Sequence, residues 1–204
     1  MRSAESLALA LTTALLSALL CATSAAALSI DFGPSFGAPA RTTVLTDQLI
    51  SYGVTFSSDS PNGVVWNGQG HTINYPYVIG AGFTNGYGDT SDIRIDFLAP
   101  AQRVGIRAFD GGGDEETVTL RGFDASGQLL ATRSIGPYSF NNPGSFLIIE
   151  TGLAPGISYA VLETEGTMSG VFFDDLFYDP IPEPNSAILI GLGLAGLSAT
   201  GRKD

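Results

Sequence analysis

Apolar and polar residues alternate along most of the chain between residues 28 and 179, which is the pattern of half-buried β-strands. The clearest run covers 92–98, where the apolar positions are Ile93, Ile95 and Phe97. A second alternating run covers 102–109, and Ala99-Pro100-Ala101 between the two predicts a short turn and therefore a hairpin. No window of this stretch shows the 3.6-residue period of an amphipathic helix.

Further strand-like runs follow at even spacing, at 29–32, 49–57, 116–124, 128–134, 145–150, 158–165 and 171–178. The segment 124–127 ends in Gly127 and predicts a second hairpin, because glycine tolerates the positive φ of a tight turn. Asn-Gly pairs mark turns in the less regular stretch 58–91. Eight or more short strands at this spacing predict an all-β fold, a two-sheet antiparallel sandwich for which we expect a jelly-roll-like topology.

Residues 1–27 have the organisation of a signal peptide. Arg2 is followed by an apolar run over 7–20, and the alanines at 25–27 predict cleavage after Ala27. We therefore expect export by the Sec machinery and removal of the segment by signal peptidase. Cys21 raises the alternative of a lipoprotein signal, but Leu20 stands where such a signal has a small residue. A permanent anchor is the other alternative, and the apolar run falls short of the ~20 residues of a membrane span.

The C-terminal stretch 180–204 has three parts in a fixed order. Pro182-Glu183-Pro184 is followed by an apolar run over 187–199 and then by Arg202 and Lys203. This order resembles the PEP-CTERM sorting signal of Gram-negative bacteria. The resemblance implies an exported protein that an exosortase-type enzyme processes at the motif, usually in organisms that make exopolysaccharide.

The length of the apolar run predicts a transient membrane anchor. Its residues, as a helix rising ~1.5 Å each, would span ~20 Å against a hydrocarbon core of ~30 Å. Arg202 and Lys203 would stay cytoplasmic, which leaves the body of the chain outside. We expect a cell-surface or extracellular protein after transient inner-membrane anchoring, and a tail anchor that is never cut is the alternative.

Composition narrows the function of the body, 28–179. Between residues 28 and 184 there are six arginines, no lysine and 18 acidic residues, hence a formal charge of −12. Such a surface repels phosphate backbones, so nucleic-acid binding is not expected. The body contains no cysteine, which removes disulfides and thiolate metal sites. Divalent cations are the partners that this charge favours, and calcium is the one cofactor we consider.

No catalytic residue is predicted. Residues 33–37 match a nucleophile-elbow pattern around Ser35, but no helical pattern follows them. His71 is the single histidine, and without a cysteine or a second histidine it cannot build a typical zinc site. With so many acids, some pair will meet the spacing of glycosidase carboxylates by chance, so such pairs are uninformative.

The sequence suggests calcium ligands at Asp31, Asp174 and Asp175, since carboxylate oxygens suit this ion. Asp31 follows the first predicted strand, and Asp174 and Asp175 lie on the last. The segments 30–32 and 170–177 resemble the opening and closing strands of carbohydrate-binding jelly rolls, and that resemblance implies that the three acids meet. The acidic loop 110–116 is interpreted as solvated.

These observations favour a non-enzymatic exported protein, sorted by an exosortase and associated with the envelope or the exopolysaccharide matrix. The alternatives are a carbohydrate-binding module and a glycan-active enzyme. A shallow aromatic strip would favour the module, and a cleft lined by two carboxylates would favour the enzyme. The aromatic residues of the irregular stretch are interpreted as core caps rather than as a sugar platform; they are Trp66, Tyr75, Tyr77, Phe83 and Tyr87.

Overall fold

The computed structural model describes residues 26–32, 43–67, 78–81, 91–110, 115–138, 144–152, 155–166 and 171–181. The chain divides into a body, Ala26–Pro180, and a second unit made of Met1–Ala25 and Ile181–Asp204. Most of the predicted signal peptide, the Pro182–Pro184 motif, the apolar run and the basic pair Arg202 and Lys203 lie outside the described residues. Within those residues, no helix has the length and apolar character needed to cross a membrane.

The body is built almost wholly from antiparallel strands, which confirms the all-β prediction. Its elements in chain order are β1 (Leu28–Ile30), β2 (Thr43–Leu45), a 3₁₀ turn (Ile50–Tyr52), β3 (Val54–Ser58), β4 (Val64–Asn67), β5 (Val78–Ala81), β6 (Ile93–Asp110), β7 (Glu116–Phe123), β8 (Leu129–Tyr138), β9 (Ser145–Glu150), β10 (Ile157–Glu165) and β11 (Val171–Pro180). The 3₁₀ turn occupies part of the predicted strand 49–57. Gly53 ends that turn in a left-handed conformation, at φ 76°.

The long strand β6 organises the sheet. Its first half pairs with β3 and β10, and its second half pairs with β9 and β11. The first layer therefore runs β3-β6-β10-β7-β8. In the second layer β6 lies between β9 and β11, and β11 is followed by β1 and β5, then β4 and β2. Because β6 belongs to both layers, hydrogen bonds join the whole into one continuous antiparallel sheet, which encloses a main core and borders a smaller buried cluster of Val65, Val78, Phe109 and Phe172.

The predicted hairpin at 99–101 is wrong, because the two alternating runs form the single strand β6. β10 pairs Ile157 with Ala101 and then Tyr159 with Asp96, so residues 97–100 bulge at the corner between the layers. Pro100 is exposed in this bulge. A bulge tolerates proline because the missing amide is not needed for the ladder. The other predicted hairpin, β7–β8, is confirmed.

The core is formed by the inward residues of both layers. From the first layer come residues such as Ile95, Val118 and Leu162, and from the second come Ile106, Leu147 and Leu176, all buried. Along β6 the inward residues switch from odd positions in 93–97 to even positions in 104–108, as the bulge requires. The outward residues of the second layer are thereby fixed as 103, 105 and 107.

The first and last strands pair with each other, Ile30 with Leu176 and Leu28 with Tyr178. Asp31 and Phe32 follow β1 directly, so they lie beside the middle of β11. This pairing places the beginning of the body next to the acidic residues of its last strand.

Candidate functional site

Most of the described side chains that could bind a ligand lie on the outer face of the second layer. Strands β9, β6 and β11 lie next to one another, and their outward residues form three successive rows. In the order β9, β6, β11, the rows are Phe146, Arg107 and Asp174; then Ile148, Gly105 and Phe177; and then Glu150, Arg103 and Asp179. We call this surface the β9–β6–β11 face.

A bulge in β11 shapes one end of this face. Asp174 pairs with Arg107, but the next pair is Phe177 with Gly105, so β11 has one extra residue here. Asp175 adopts φ 51°, which aspartate tolerates better than most residues other than glycine. Its carboxylate Oδ2 lies 2.9 Å from Nη2 of Arg107. The bulge therefore turns Asp175 toward the face instead of the core.

Three carboxylates meet beside the bulge. One oxygen from each of Asp31, Asp174 and Asp175 lies within 4.8 Å of the others. Oδ1 of Asp174 accepts hydrogen bonds from the backbone amides of Phe32, at 3.1 Å, and Asp175, at 2.7 Å. The structure thus brings together the three acids that the sequence suggested as calcium ligands.

The pKa of Asp174 is raised to about 6, first because burial penalises the charged form and then because Asp175 and Asp31 lie close. The two backbone hydrogen bonds act in the opposite direction. An ionised Asp174 is therefore unfavourable in this position unless a cation balances the cluster. The donor set suits a hard cation such as calcium, which takes carboxylate and carbonyl oxygens. Arg107 already supplies part of the balancing charge through Asp175.

Two phenylalanines form a strip along the middle of the face. The rings of Phe146 and Phe177 lie with their centroids 6.0 Å apart and their planes at 56°. The Arg107 guanidinium lies over Phe146, 4.6 Å from its centroid, and that of Arg103 lies 5.3 Å from the Phe177 centroid. Phe146 is 39% exposed, and a side chain at Gly105 would overlap the ring of Phe177. Glycine at 105 therefore lets the Phe177 ring lie flat against the sheet.

A polar cleft adjoins this strip. It has a volume of about 210 Å³ and is lined by Gln102, Arg103, Glu150, Thr151 and Asp179. Nε of Arg103 lies 2.8 Å from Oε1 of Glu150. The cleft adjoins the strip because Arg103 lines the cleft and its guanidinium also lies over Phe177.

The outer face of the first layer is different. Tyr159 of β10 stacks on Phe123 of β7 at 4.9 Å, and Arg94 of β6 lies 3.7 Å from the Tyr159 centroid. These partners come from the strands on either side of β10, so both faces of the Tyr159 ring are covered. This stack ties neighbouring strands together and leaves no ring face for a ligand.

The sequence interpretation missed the β9–β6–β11 face. It weighed a sugar platform at Trp66, Tyr75, Tyr77, Phe83 and Tyr87 and interpreted these residues as core caps instead; Trp66 falls in β4, and the other four lie outside the described residues. His71, Ser35 and the loop centre 111–114 also lie outside them. The alternation of Phe146, Ile148 and Glu150 was a usable signal, because an outward phenylalanine next to an outward isoleucine is unusual for a solvated strand.

Comparison with known proteins supports the same division of the chain. Residues 180–203 match the PEP-CTERM protein-sorting motif. No curated protein sequence matches the chain. An α-L-arabinofuranosidase solved with arabinose is 12% identical with a TM-score of 0.50 over 77% of this chain. The match covers only 26% of that enzyme's chain, so it shows the fold of the body alone.

Two carbohydrate-binding modules are also structurally similar to the body. One, solved with β-1,4-galactotriose, is 15% identical with a TM-score of 0.37 over 62% of this chain and 88% of its own. The other, a family 22 module of Clostridium thermocellum, is 13% identical with a TM-score of 0.39 over 62% of this chain and 85% of its own. The chain is thus an all-β body followed by a PEP-CTERM sorting motif, which marks an exported protein with transient membrane anchoring and exosortase processing.

Proposed function

We propose that the body is a non-catalytic glycan-binding domain, which the sorting motif delivers to the envelope or the exopolysaccharide matrix of a Gram-negative cell. The observation that supports this most directly is that the Phe146–Phe177 strip adjoins the polar cleft around Arg103. Ligand sites in general combine apolar and aromatic surface with a few fixed polar groups. This face has both within three neighbouring strands.

The two parts of the face suit the two parts of a sugar. A pyranose ring has an apolar face of C–H groups, which packs on aromatic rings such as those of Phe146 and Phe177. Its hydroxyls can accept hydrogen bonds from the guanidinium of Arg103 and donate them to the carboxylate of Glu150, and both groups line the cleft. Nε of Arg103 lies 2.8 Å from the Glu150 carboxylate but without hydrogen-bond geometry, so the two charges lie side by side in the cleft before a ligand arrives.

The charges favour a neutral glycan. Among the described residues, Arg94, Arg103, Arg107 and Arg121 are paired with Asp96, Glu150, Asp175 and Glu163, at distances between 2.6 and 3.0 Å. No positive charge of these four residues is left unbalanced, and the stretch 28–184 has a net charge of −12. A polyanion would be repelled at long range, whereas an uncharged chain would not.

The cleft contains two carboxylates, Glu150 and Asp179, which is the feature that would favour a glycan-active enzyme, but the surroundings of Glu150 suit binding better than catalysis. Glycoside hydrolysis uses an acid whose pKa is raised, usually by an apolar pocket, opposite a second carboxylate. The Glu150 side chain is 62% exposed and ion-paired to Arg103. The Glu150 carboxylate therefore lacks the apolar pocket in which such an enzyme holds its acid.

We further propose that calcium binds at Asp31, Asp174 and Asp175 and stabilises the bulge in β11. The support is the convergence of the three carboxylates and the unfavourable charge of Asp174 there. The ion would fix the end of the β9–β6–β11 face at which Arg107 lies. It would take no part in chemistry.

Affinity electrophoresis tests the glycan proposal. The full chain is run through native gels that contain neutral polysaccharides (β-1,4-galactan, glucomannan or laminarin) or anionic ones (alginate or polygalacturonate). We expect at least one neutral polymer to retard the protein and neither anionic polymer to do so. Unchanged mobility in all of the gels would contradict the proposal.

A further inference from the structure

An exposed apolar patch lies at the corner where β6 passes from one layer to the other. It consists of Leu28, Ile50, Tyr52 and Leu98, which are 37%, 52%, 42% and 64% exposed. We call it the corner patch. It is separate from the β9–β6–β11 face, whose apolar residues are Phe146, Ile148 and Phe177.

Hydrogen bonds and strand pairing join the segments that carry the patch residues. The amide of Leu98 donates to the carbonyl of Gly53 at 2.9 Å, directly after Tyr52. The hydroxyl of Tyr178 donates to the carbonyl of Tyr52, and Leu28 pairs with Tyr178 across β1 and β11. Large apolar side chains of these sizes usually stay out of water when a fold can bury them. Here the 3₁₀ turn and the β6 bulge both present them outward.

Both ends of the body leave from this corner. Pro180, at the end of the body, pairs with Ala101, which is three residues after Leu98. Leu28, near the beginning of the body, pairs with Tyr178, which is two residues before Pro180. The sorting motif begins at residue 180 and the apolar run at 187. Seven residues reach at most about 25 Å when fully extended. Pro180, at this corner, is therefore kept within about 25 Å of the membrane whenever the apolar run is inserted in it.

We propose that the corner patch contacts the lipid surface while the sorting tail anchors the uncut protein. Isoleucine, leucine and tyrosine are side chains that enter the headgroup region, and a short tether raises their local concentration there. Asp47 is exposed and lies next to Ile50: the backbone amide of Ile50 donates a hydrogen bond to the backbone carbonyl of Asp47 at 3.0 Å. The contact is therefore with zwitterionic lipid, and anionic lipid weakens it. Cleavage at the motif removes the tether and releases the body.

A fluorescent label at one position tests this contact. Cys21 is the only cysteine of the chain and lies in the predicted signal peptide, so residues 28–204 allow a single cysteine to be placed and labelled. We compare Leu98→Cys with Glu165→Cys. Glu165 is exposed and lies at the opposite end of β10 from Ile157, the residue that pairs with Ala101 near the patch. Each labelled protein, residues 28–204, is reconstituted by its tail into phosphatidylcholine vesicles with a nitroxide on the lipid headgroup.

We expect the label at 98 to be quenched at least twofold more than the label at 165, and less so when phosphatidylglycerol is added. Ile50→Ser with Tyr52→Ser should reduce the quenching at 98 to the level at 165, with circular dichroism unchanged. Equal quenching at the two positions would overturn the proposal. A label at 98 that is shielded from water but not quenched by the lipid nitroxide would indicate a protein partner, and would overturn it as well. Neither result bears on glycan retardation, which is measured on the other face.

Discussion

The carboxylate of Asp174 accepts a hydrogen bond from the backbone amide of Phe32, 3.1 Å away, although 142 residues separate the two in sequence. This bond joins the end of β1 to the bulge of β11 and keeps Asp31 beside Asp174 and Asp175. It also places a half-buried carboxylate among like charges, which raises its pKa to about 6. The first predictions concern this position.

Asp174→Asn should stabilise the metal-free body at neutral pH. The pKa of Asp174 is about 6 in the folded chain and 3.8 ordinarily, so between those values the folded state holds a proton that the unfolded state has released. Stability from this group therefore falls as the pH rises from about 4 to about 6, and the loss is complete above that. Asparagine keeps an oxygen for the Phe32 and Asp175 amides and removes the charge.

Urea unfolding in EDTA at pH 7.5 and pH 4 measures this effect. We expect a gain of about 1–2 kcal/mol at pH 7.5 and little gain at pH 4, because Asp174 is partly exposed and solvent screening reduces the value of about 3 kcal/mol to which two pKa units correspond. A gain of the same size at both pH values would show that the ionisation of Asp174 is not its cause.

Calcium should raise the melting temperature of the full chain. A ligand that binds only the folded state at a hundredfold excess over Kd contributes about 2.7 kcal/mol, which for a domain of this size is roughly 5–10 °C. Asp175→Asn should abolish the rise, because asparagine accepts the same backbone conformation but brings no charge. Asp179→Asn lies on the same face outside the cluster and serves as the control that keeps the rise.

Differential scanning calorimetry with calcium, magnesium and EDTA at constant ionic strength gives the result. Magnesium should act less strongly because it requires a tighter octahedral shell. Superimposed melting curves in calcium and EDTA would mean that the three acids are surface charge only.

Gly105→Ala should damage the β9–β6–β11 face. A methyl group at this position would overlap the ring of Phe177, which packs directly on the Gly105 backbone. Overpacking of this kind costs about 1–3 kcal/mol. Gly152→Ala is the matched control, since nothing lies within 4 Å of its added methyl group. Thermal unfolding and polysaccharide retardation are measured for both variants. Equal results for Gly105→Ala and Gly152→Ala would contradict the described packing.

Processing should leave a mature chain without the sorting tail. The motif at 180–203 implies exosortase processing, and the preceding strand ends at Pro180. Intact-mass measurement of protein recovered from native cells should show a chain that begins near Leu28 and ends close to Pro184. A mature species that still contains Leu189–Leu197 would instead support a permanent anchor.

The sequence predicted the strand class because it depends on local alternation, and the resemblance of the first and last strands to carbohydrate-binding jelly rolls predicted the meeting of the chain ends. It could not predict that residues 92–109 form one strand. The Ala99-Pro100-Ala101 signal is the same for a turn and for a bulge, and only the pairing of Ala101 with Ile157 and Pro180 distinguishes them. The aromatic strip was also hidden, because Phe146 and Phe177 lie on strands that meet only through β6.

The most direct test of glycan binding by this face compares two exposed apolar residues in different layers. Phe146 lies in the aromatic strip, and Leu129 lies on β8 of the first layer; they are 39% and 46% exposed. Binding of wild type, Phe146→Ala and Leu129→Ala to the most strongly retarding neutral polysaccharide is measured by affinity electrophoresis at several polymer concentrations. We predict that Phe146→Ala weakens binding about tenfold, a loss of roughly 1.4 kcal/mol, and that Leu129→Ala leaves it within about twofold. Equal affinities for all three proteins, or no binding by the wild type, would contradict the assignment of the β9–β6–β11 face as a glycan site.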